Sequence, residues 1–304
     1  MVGKTRSVKI VILGAGGRLG AALARKWSAS DEVLGFAHAD IDLAQPGEIQ
    51  RVLQPLSFDV LVNCAALTNV DFCETHEAEA MRVNAEAVRE IGALCTLKHV
   101  RCLHISTDYV FDGETDQPYS EADSARAISV YGESKLRGET ALLDTADSSA
   151  AHLAIRVSWV FGPDRPSFID AILKRALTSD SAEAIGDKWA APSFTLDLAT
   201  LLRPFLCDIP AGGVLHACNS GACTWREYGE YALRCAARVG LPVKTTQVKS
   251  LPMAGMKAFI ARRPVYSVLS TEKLAGLIGA HPRSWQEAVE DYIITCIAPL
   301  FSKP

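Results

Sequence analysis

Tyr131 and Lys135 stand four residues apart in Tyr131-Gly-Glu-Ser-Lys135. On a helix that spacing puts both side chains on one face. Free tyrosine titrates near pH 10, about three units too high for acid–base work at neutral pH. A neighbouring ammonium favours the phenolate and brings it closer. The lysine could also hold a nicotinamide ribose. Tyr-x-x-x-Lys alone arises by chance in many chains, so its surroundings decide its meaning. Upstream, Ser106-Thr107-Asp108-Tyr109 ends an apolar run, where Thr107 can hydrogen-bond a carbonyl oxygen in line with Tyr131. Further upstream lies Gly14-Ala-Gly-Gly17-Arg18-Leu19-Gly20. A glycine loop, a strand-end threonine and a Tyr/Lys helix, in that order, point to hydride transfer to or from a carbon bearing oxygen. A dinucleotide would carry the redox step while the protein positions and protonates.

The elements that must hold these groups are legible as alternating segments. Val8 to Leu13, Glu32 to Ala37, Asp59 to Asn63, Val100 to Ser106 and Leu153 to Val160 read as strands. Ala21 to Ser28, Pro46 to Leu53, Glu77 to Lys98 and Tyr131 to Leu143 read as helices. Continuous β-branched runs separated by helices predict a parallel sheet covered on both faces. The expected fold is α/β: a Rossmann-type doubly wound parallel sheet with a smaller mixed α/β substrate lobe. Residues 1–162 would form mainly the dinucleotide-binding part. Residues 163–304 would form mainly the lobe, with some segments returning to the sheet. In the second half, Phe168 to Leu177, Leu196 to Leu206, Trp225 to Val239, Thr271 to Leu277 and Ser284 to Leu300 read as helices, and Val214 to Ala217 as a strand. Leu241 to Leu269 reads as irregular.

The glycine spacing suits a tight turn, close approach to a pyrophosphate and close helix–strand packing. The helix that follows offers free amides and its positive dipole end. Phe36-Ala37-His38-Ala39 lacks an acidic residue at the place where one would bind the ribose 2′-hydroxyl, although Asp40 is near. Arg18 could pair with a 2′-phosphate. The reading favours NADPH, with NADH open.

Composition sets limits. The chain has 304 residues, 49% hydrophobic and 22% charged, with a net charge of −4. That balance excludes a disordered or coiled-coil chain and offers no basic footprint for nucleic acid. The nine cysteines are odd in number and none has Cys-x-x-Cys spacing, so they read as reduced and the compartment as cytoplasmic. Lys4, Arg6 and Lys9 precede the apolar run Ile10 to Leu13, which is too short for a signal peptide and reads as a buried first strand. No apolar run is long enough for a membrane span. Glu74, His76 and Glu77 read as a solvated helix start, so no metal is expected. His104 reads as a satisfied core histidine, and Trp189, Trp225 and Trp285 as packing residues. Trp159, at a strand end, is open to packing or to facing substrate. The helices carry apolar faces through which a homodimer could form.

The chain resembles the extended short-chain dehydrogenase/reductases, and more narrowly the dTDP-4-dehydrorhamnose reductase family. The matching stretches are Gly14 to Gly20, Asn63-Cys-Ala-Ala-Leu-Thr-Asn-Val-Asp71, Val83-Asn84-Ala85 and Ser106-Thr-Asp-Tyr-Val-Phe-Asp-Gly113. They continue with Tyr131 to Glu139, Arg156-Val-Ser-Trp-Val-Phe-Gly162, Asp197-Leu-Ala199 and Arg263-Pro264. The resemblance implies a catalytic set of Thr107, Tyr131 and Lys135. Asp42 and Leu43 would flank the adenine; Ala65, Ala66 and Thr68 would line the cofactor; Asn84, on its helix, would support the site and contact the cofactor. Asp108, Tyr109 and Trp159 would contact a nucleotide sugar. Dehydratases of this superfamily carry a glutamate where Tyr109 stands, so a plain reductase is implied. The family's usual Gly-Ser-Pro-Thr is here Ala190-Ala-Pro-Ser193, a departure that bears on which sugar is taken. Two other readings are a dinucleotide-binding regulatory subunit like the β-subunit of methionine adenosyltransferase, and an epimerase with tightly held NAD.

Overall fold

The structure is a computed structural model that describes residues 7–301; Lys4 and Arg6 lie outside them. The chain opens with β1 (Lys9–Leu13), α1 (Arg18–Trp27), β2 (Glu32–Phe36), α2 (Glu48–Leu53), β3 (Val60–Asn63) and α3 (Val70–Thr75). It continues with α4 (Glu77–Met81), α5 (Ala87–Leu97), β4 (Arg101–Thr107), α6 (Val130–Leu143), β5 (Leu153–Val157) and β6 (Val160–Phe161). There follow α7 (Phe168–Thr178), β7 (Ala182–Ile185), β8 (Trp189–Ala190), β9 (Ser193–Phe194), α8 (Thr195–Leu202) and β10 (Gly213–His216). The last are β11 (Cys223–Thr224), α9 (Trp225–Arg238), β12 (Val248–Leu251), α10 (Glu272–Ile278), α11 (Trp285–Tyr292) and α12 (Ala298–Phe301).

The main sheet has the order β2-β1-β3-β4-β5-β10, and every pairing in it is parallel. Its inner strands β3 and β5 are buried at every residue, which explains why they are apolar apart from Asn63 and Arg156. On one face, Ile10, Ile12, Leu103, Ile155 and Leu215 share a core with Trp27 of α1 and with Leu198 and Leu202 of α8. On the other, Val11, Leu61 and Cys102 share a core with Leu53, Ile91 and Leu142. The chain runs from β1 outward to β2, then returns to the other side of β1 for β3. That reversal opens a crevice at the carboxyl ends of β1 and β3, where open α/β sheets bind their ligands.

Residues after 162 do not all leave the sheet. β10 pairs with β5, and α8 lies against α1, where the Trp27 indole N–H donates to the Ala199 carbonyl at 2.8 Å. The remainder forms a second core around Phe161, Ile169, Phe194, Tyr228, Trp285 and Tyr292. Trp285 is buried there, in keeping with its reading as a packing residue.

Three local departures from the sequence reading have physical causes. The strand expected to reach Val160 ends at Val157. Trp159 then takes φ +40°, a region sparsely used by bulky residues, and Val160–Phe161 pairs instead with β9. The helix expected over Glu77 to Lys98 is interrupted by a π-turn at Arg82–Glu86. There the Asn84 carbonyl presses so closely on Gly138 of α6 that any Cβ would collide with it. Finally, the segment read as irregular contains β12, which pairs in parallel with β7.

Candidate active site

Gly14 sits at φ +76°, and both its N–H and that of Ala15 donate to the Phe36 carbonyl, at 2.8 and 3.0 Å. The Gly17 N–H then turns back onto the Gly14 carbonyl at 2.9 Å. A Cβ on Gly14 would stand 2.7 Å from the Ala65 nitrogen, and one on Gly20 would meet the Gly14 carbonyl. Gly17 caps α1 without a side-chain hydrogen bond, and the first turn has no acidic residue. The opening amides of a helix lack intrahelical partners and favour an anion.

The loop separates two cavities that share Gly17, Cys64, Ala66 and Arg165. One, of about 700 Å³, is lined by Gly14, His38, Asp42, Leu43 and Ala65. The other, of about 460 Å³, is lined by Leu19, Thr68, Thr107, Asp108, Tyr109, Tyr131, Lys135 and Trp159. A continuous groove thus runs from the rim of β2, over the helix amides, to the Tyr/Lys pair. Its shape fits a dinucleotide: an adenosine end, a pyrophosphate seat and a reacting end. Gly20→Ala should push the turn out of place at a cost of about 1–3 kcal/mol. NADPH binding, followed by fluorescence titration, is then expected to weaken roughly tenfold or more.

Two expected cofactor residues have other duties. Arg18 lines the cavity at the Tyr/Lys end, and its guanidinium donates to the carbonyls of Val160 (3.1 Å), Arg165 (3.1 Å) and Pro166. The structure thus places its nitrogens on backbone carbonyls and away from the cavity at the Asp42 end, where the sequence reading sets it against a 2′-phosphate. Asn84 is 1% exposed and lines neither cavity. Its Oδ1 accepts from the Leu67 N–H at 2.8 Å, and its Nδ2 donates to the Leu67 carbonyl and the Ser134 hydroxyl, both at 3.0 Å. It fastens the loop after β3 to α6 and touches no open space. Arg165, not singled out in the sequence, borders both cavities, and its Nε donates to the Gly16 carbonyl at 3.0 Å.

At the reacting end, α6 starts at Val130, where Ser129 caps by accepting from the Gly132 N–H. The Val130 N–H donates to Glu74 of α3 at 3.1 Å. The first turn of α6 thereby brings Tyr131 to the cavity wall that Thr107 also lines. Burial pushes the Tyr131 phenol above its ordinary range, and the Thr107 side chain draws it down. Lys135 is 1% exposed. Its Nζ donates to the Ile105 carbonyl at 2.7 Å and lies 3.0 Å from His104 Nε2. Burial lowers the Lys135 ammonium to about 8, opposed by the charge of Glu139.

Asp108 stands under Thr107. Its Oδ1 accepts from the Thr107 hydroxyl at 3.2 Å, and its Oδ2 from Ser158 at 3.0 Å and Ser267 at 2.5 Å. Burial raises its carboxyl, opposed by Lys188 and these hydroxyls. Tyr109 meets Tyr131 edge-on with ring centroids 5.7 Å apart. Lys188 is fully buried, donates to the Pro264 carbonyl at 2.6 Å, and lies over the Tyr109 and Trp159 rings at 4.9 and 6.0 Å. Nothing in the local sequence marks it. Only the fold brings Asp187-Lys188-Trp189 beneath the end of β4. Trp159, turned by its positive φ, borders the cavity and leans on Trp225 and Tyr228 at 5.5 and 6.1 Å. It therefore does both things open to it: it packs, and it walls the groove.

The segment 260–263 is tied to α3. Asp71 of α3 accepts from both Arg263 terminal nitrogens, at 2.6 and 3.1 Å, and from the N–H groups of Ile260 and Ala261, both at 2.9 Å. These bonds, the Arg263 pair foremost, hold the Asp71 carboxyl down to about 2. The tie's contribution to stability is thus complete above the ordinary value of 3.8 and is lost only as pH falls through the lowered one. Asp71→Asn should raise the KM for a sugar substrate several-fold and leave NADPH affinity almost unchanged. Steady-state kinetics with each substrate varied in turn would check this.

Comparison with known proteins follows the same line. The family model described as the RmlD substrate binding domain matches residues 8–297. A dTDP-4-dehydrorhamnose reductase of Burkholderia thailandensis is 31% identical over 97% of this chain and 100% of its own length. The spore coat polysaccharide biosynthesis protein SpsK of Bacillus subtilis is 33% identical over 94% of this chain and 96% of its own. The crystal structure of a Bacillus anthracis dTDP-4-dehydrorhamnose reductase in complex with NADP superposes with a TM-score of 0.87 at 25% identity. That match covers 95% of this chain and 99% of the other.

Proposed function

The chain belongs to the RmlD substrate binding domain family, and from that membership we propose that it reduces the 4-keto group of a nucleotide-activated 6-deoxy sugar. The substrate that best fits is dTDP-4-dehydro-L-rhamnose, giving dTDP-L-rhamnose. The observation that carries the reading is that Thr107, the buried Tyr131 and Lys135 line one end of a groove whose middle is a glycine-loop helix start.

The chemistry that NADPH would supply here is a hydride for the carbonyl carbon. The α1 amides and Arg165 would hold its phosphates, Asp42 and Leu43 would flank its adenosine end, and Ala65, Ala66 and Thr68 would line its path. Lys135 would meet its ribose. Thr107, whose one hydroxyl proton rests on Asp108 in the free protein, turns it to the sugar carbonyl and polarises it. Tyr131 gives its phenolic proton to the oxygen as negative charge develops there. Asp108 has spent both oxygens on hydroxyls, so it orients Thr107 and leaves sugar contact to Tyr109 and Trp159. Tyr109 is no carboxylate base, which speaks against dehydration. The intact Thr107–Tyr131–Lys135 arrangement favours an enzyme over a regulatory subunit. All nine cysteines are free, which supports a reducing, cytoplasmic setting. Among the described residues no helix is long and apolar enough to cross a membrane.

The test is oxidation of NADPH and NADH with dTDP-4-dehydro-L-rhamnose generated in situ. Turnover is expected with both and faster with NADPH. Dinucleotide binding without turnover would overturn the reading.

A further inference from the structure

Three hydroxyls converge on the buried Asp108. Thr107 donates to its Oδ1 at 3.2 Å, and Ser158 and Ser267 donate to its Oδ2 at 3.0 and 2.5 Å. Each hydroxyl has a single proton to give. The Thr107 oxygen accepts from the Tyr109 N–H at 3.2 Å, which leaves its proton for the carboxyl. A carboxylate only accepts, and it can take all three protons. A carboxylic acid must place a proton of its own and would turn one donor away. The three bonds therefore describe an ionised Asp108. A carboxylate taken out of water needs an opposite charge as well as donors. Lys188 is fully buried close by. It gives one N–H to the Pro264 carbonyl at 2.6 Å and holds its charge over the Tyr109 and Trp159 rings. The Asp108 and Lys188 charges act on one another.

We propose that Lys188 is a positioning residue for the sugar end of the groove: its ammonium keeps Asp108 a carboxylate, and the carboxylate gathers Thr107, Ser158 and Ser267 into one wall. Those three come from the end of β4, the turn after β5 and the stretch after Pro264, while Lys188 follows β7. Four stretches distant in sequence thus meet at one pair of opposite charges. When Thr107 turns its proton to a sugar carbonyl, Asp108 keeps two hydroxyls, and the ammonium offsets what the third gave up. That role in ketone reduction rests on the function proposed above; the charge states do not.

The surrounding charges leave this role to Lys188. Burial lowers its ammonium to about 8, opposed by the Asp108 charge, so the protonated form predominates at pH 7. Arg263 also faces Lys188, but its guanidinium is matched by Asp71 at 2.6 Å. Tyr131 from α6, Tyr109 from the turn after β4 and Cys218 from the turn after β10 face Asp108 too. Burial raises all three, so they carry no charge at pH 7. Burial raises the Asp108 carboxyl as well, and Lys188 is foremost among the groups that oppose it.

The experiment is NMR of the cofactor-free protein labelled with ¹³C at the aspartate carboxyls, the Asp108 signal being identified by its loss in Asp108→Asn. The expected result is an ionised Asp108 at pH 7 in the unmutated chain. In Lys188→Met the charge is gone, and the proton affinity of Asp108 should rise roughly tenfold or more, which moves its midpoint up by about one pH unit. Lys188→Gln keeps a donor for the Pro264 carbonyl but not the charge, and Asp108 should rise there by the same amount. The acid limb of kcat/KM for the sugar should move up with it in both variants. A protonated Asp108 in the unmutated chain would overturn the proposal. So would an Asp108 that titrates in Lys188→Gln as in the parent, or an acid limb that stays in place while Asp108 shifts. The first is read with Lys188 intact, so it decides even if the variants fail to fold. Failure to reduce a sugar would sink the proposed function and leave these titrations unchanged.

Discussion

Tyr131→Phe should lower kcat for ketone reduction by about 10²–10⁴-fold, the usual worth of a positioned general acid. NADPH binding should stay as it is. The ring is 9% exposed and held edge-on by Tyr109 at 5.7 Å, so phenylalanine fills the same volume. What disappears is the hydroxyl at Thr107 and with it the proton for the developing alkoxide. Single-turnover NADPH oxidation reads the first quantity and fluorescence titration the second. A variant that keeps its rate would move the proton donor elsewhere. A variant that loses NADPH binding would make Tyr131 a structural residue of the groove.

Glu139→Gln should destabilise the fold by about 3–5 kcal/mol, because it strands one member of a buried ion pair. The side chains of Arg156 and Glu139 are 5% and 3% exposed. Arg156 donates to both carboxylate oxygens, from Nη2 at 2.7 Å and from Nε at 3.0 Å. Ser106 also donates to the carboxylate, and the guanidinium lies over the Phe111 ring at 4.9 Å. Once Glu139 is neutral, the Arg156 charge has no counterpart in the core. Urea unfolding measures the loss. Adding Arg156→Met removes the stranded charge and should restore most of it. A single variant within about 1 kcal/mol of the parent would mean that the pair contributes no more than an exposed one.

Much of this site can be read directly from the chain, for a local reason. A glycine loop between a strand and a helix works through bonds a few residues long, such as Gly17 N–H to the Gly14 carbonyl. Thr107 and Tyr131 follow from a strand end and a helix start. What escapes reading depends on contacts across the fold. Arg18 looks free in the sequence, yet its partners are carbonyls of residues 160, 165 and 166. Asn84 looks like a cofactor ligand until the π-turn buries it against Leu67 and Ser134. Trp159 looks like the end of a strand because nothing local announces its positive φ. His104 does read as a satisfied core histidine, and it is one. That its partner is the Nζ end of Lys135, thirty-one residues on, only the structure reveals.

The place of β10 has a consequence for how the protein can be made. The sixth strand of the cofactor sheet comes from residues 213–216, after part of the second lobe has been laid down. On the ribosome, a nascent chain that has reached residue 162 owns five strands and an open edge along β5. The apolar face that Leu198, Leu202 and Phe205 will cover is still bare. The first half therefore completes its packing only when the second has been made, and a gene cut between them would yield a first piece that lacks one wall of its own core.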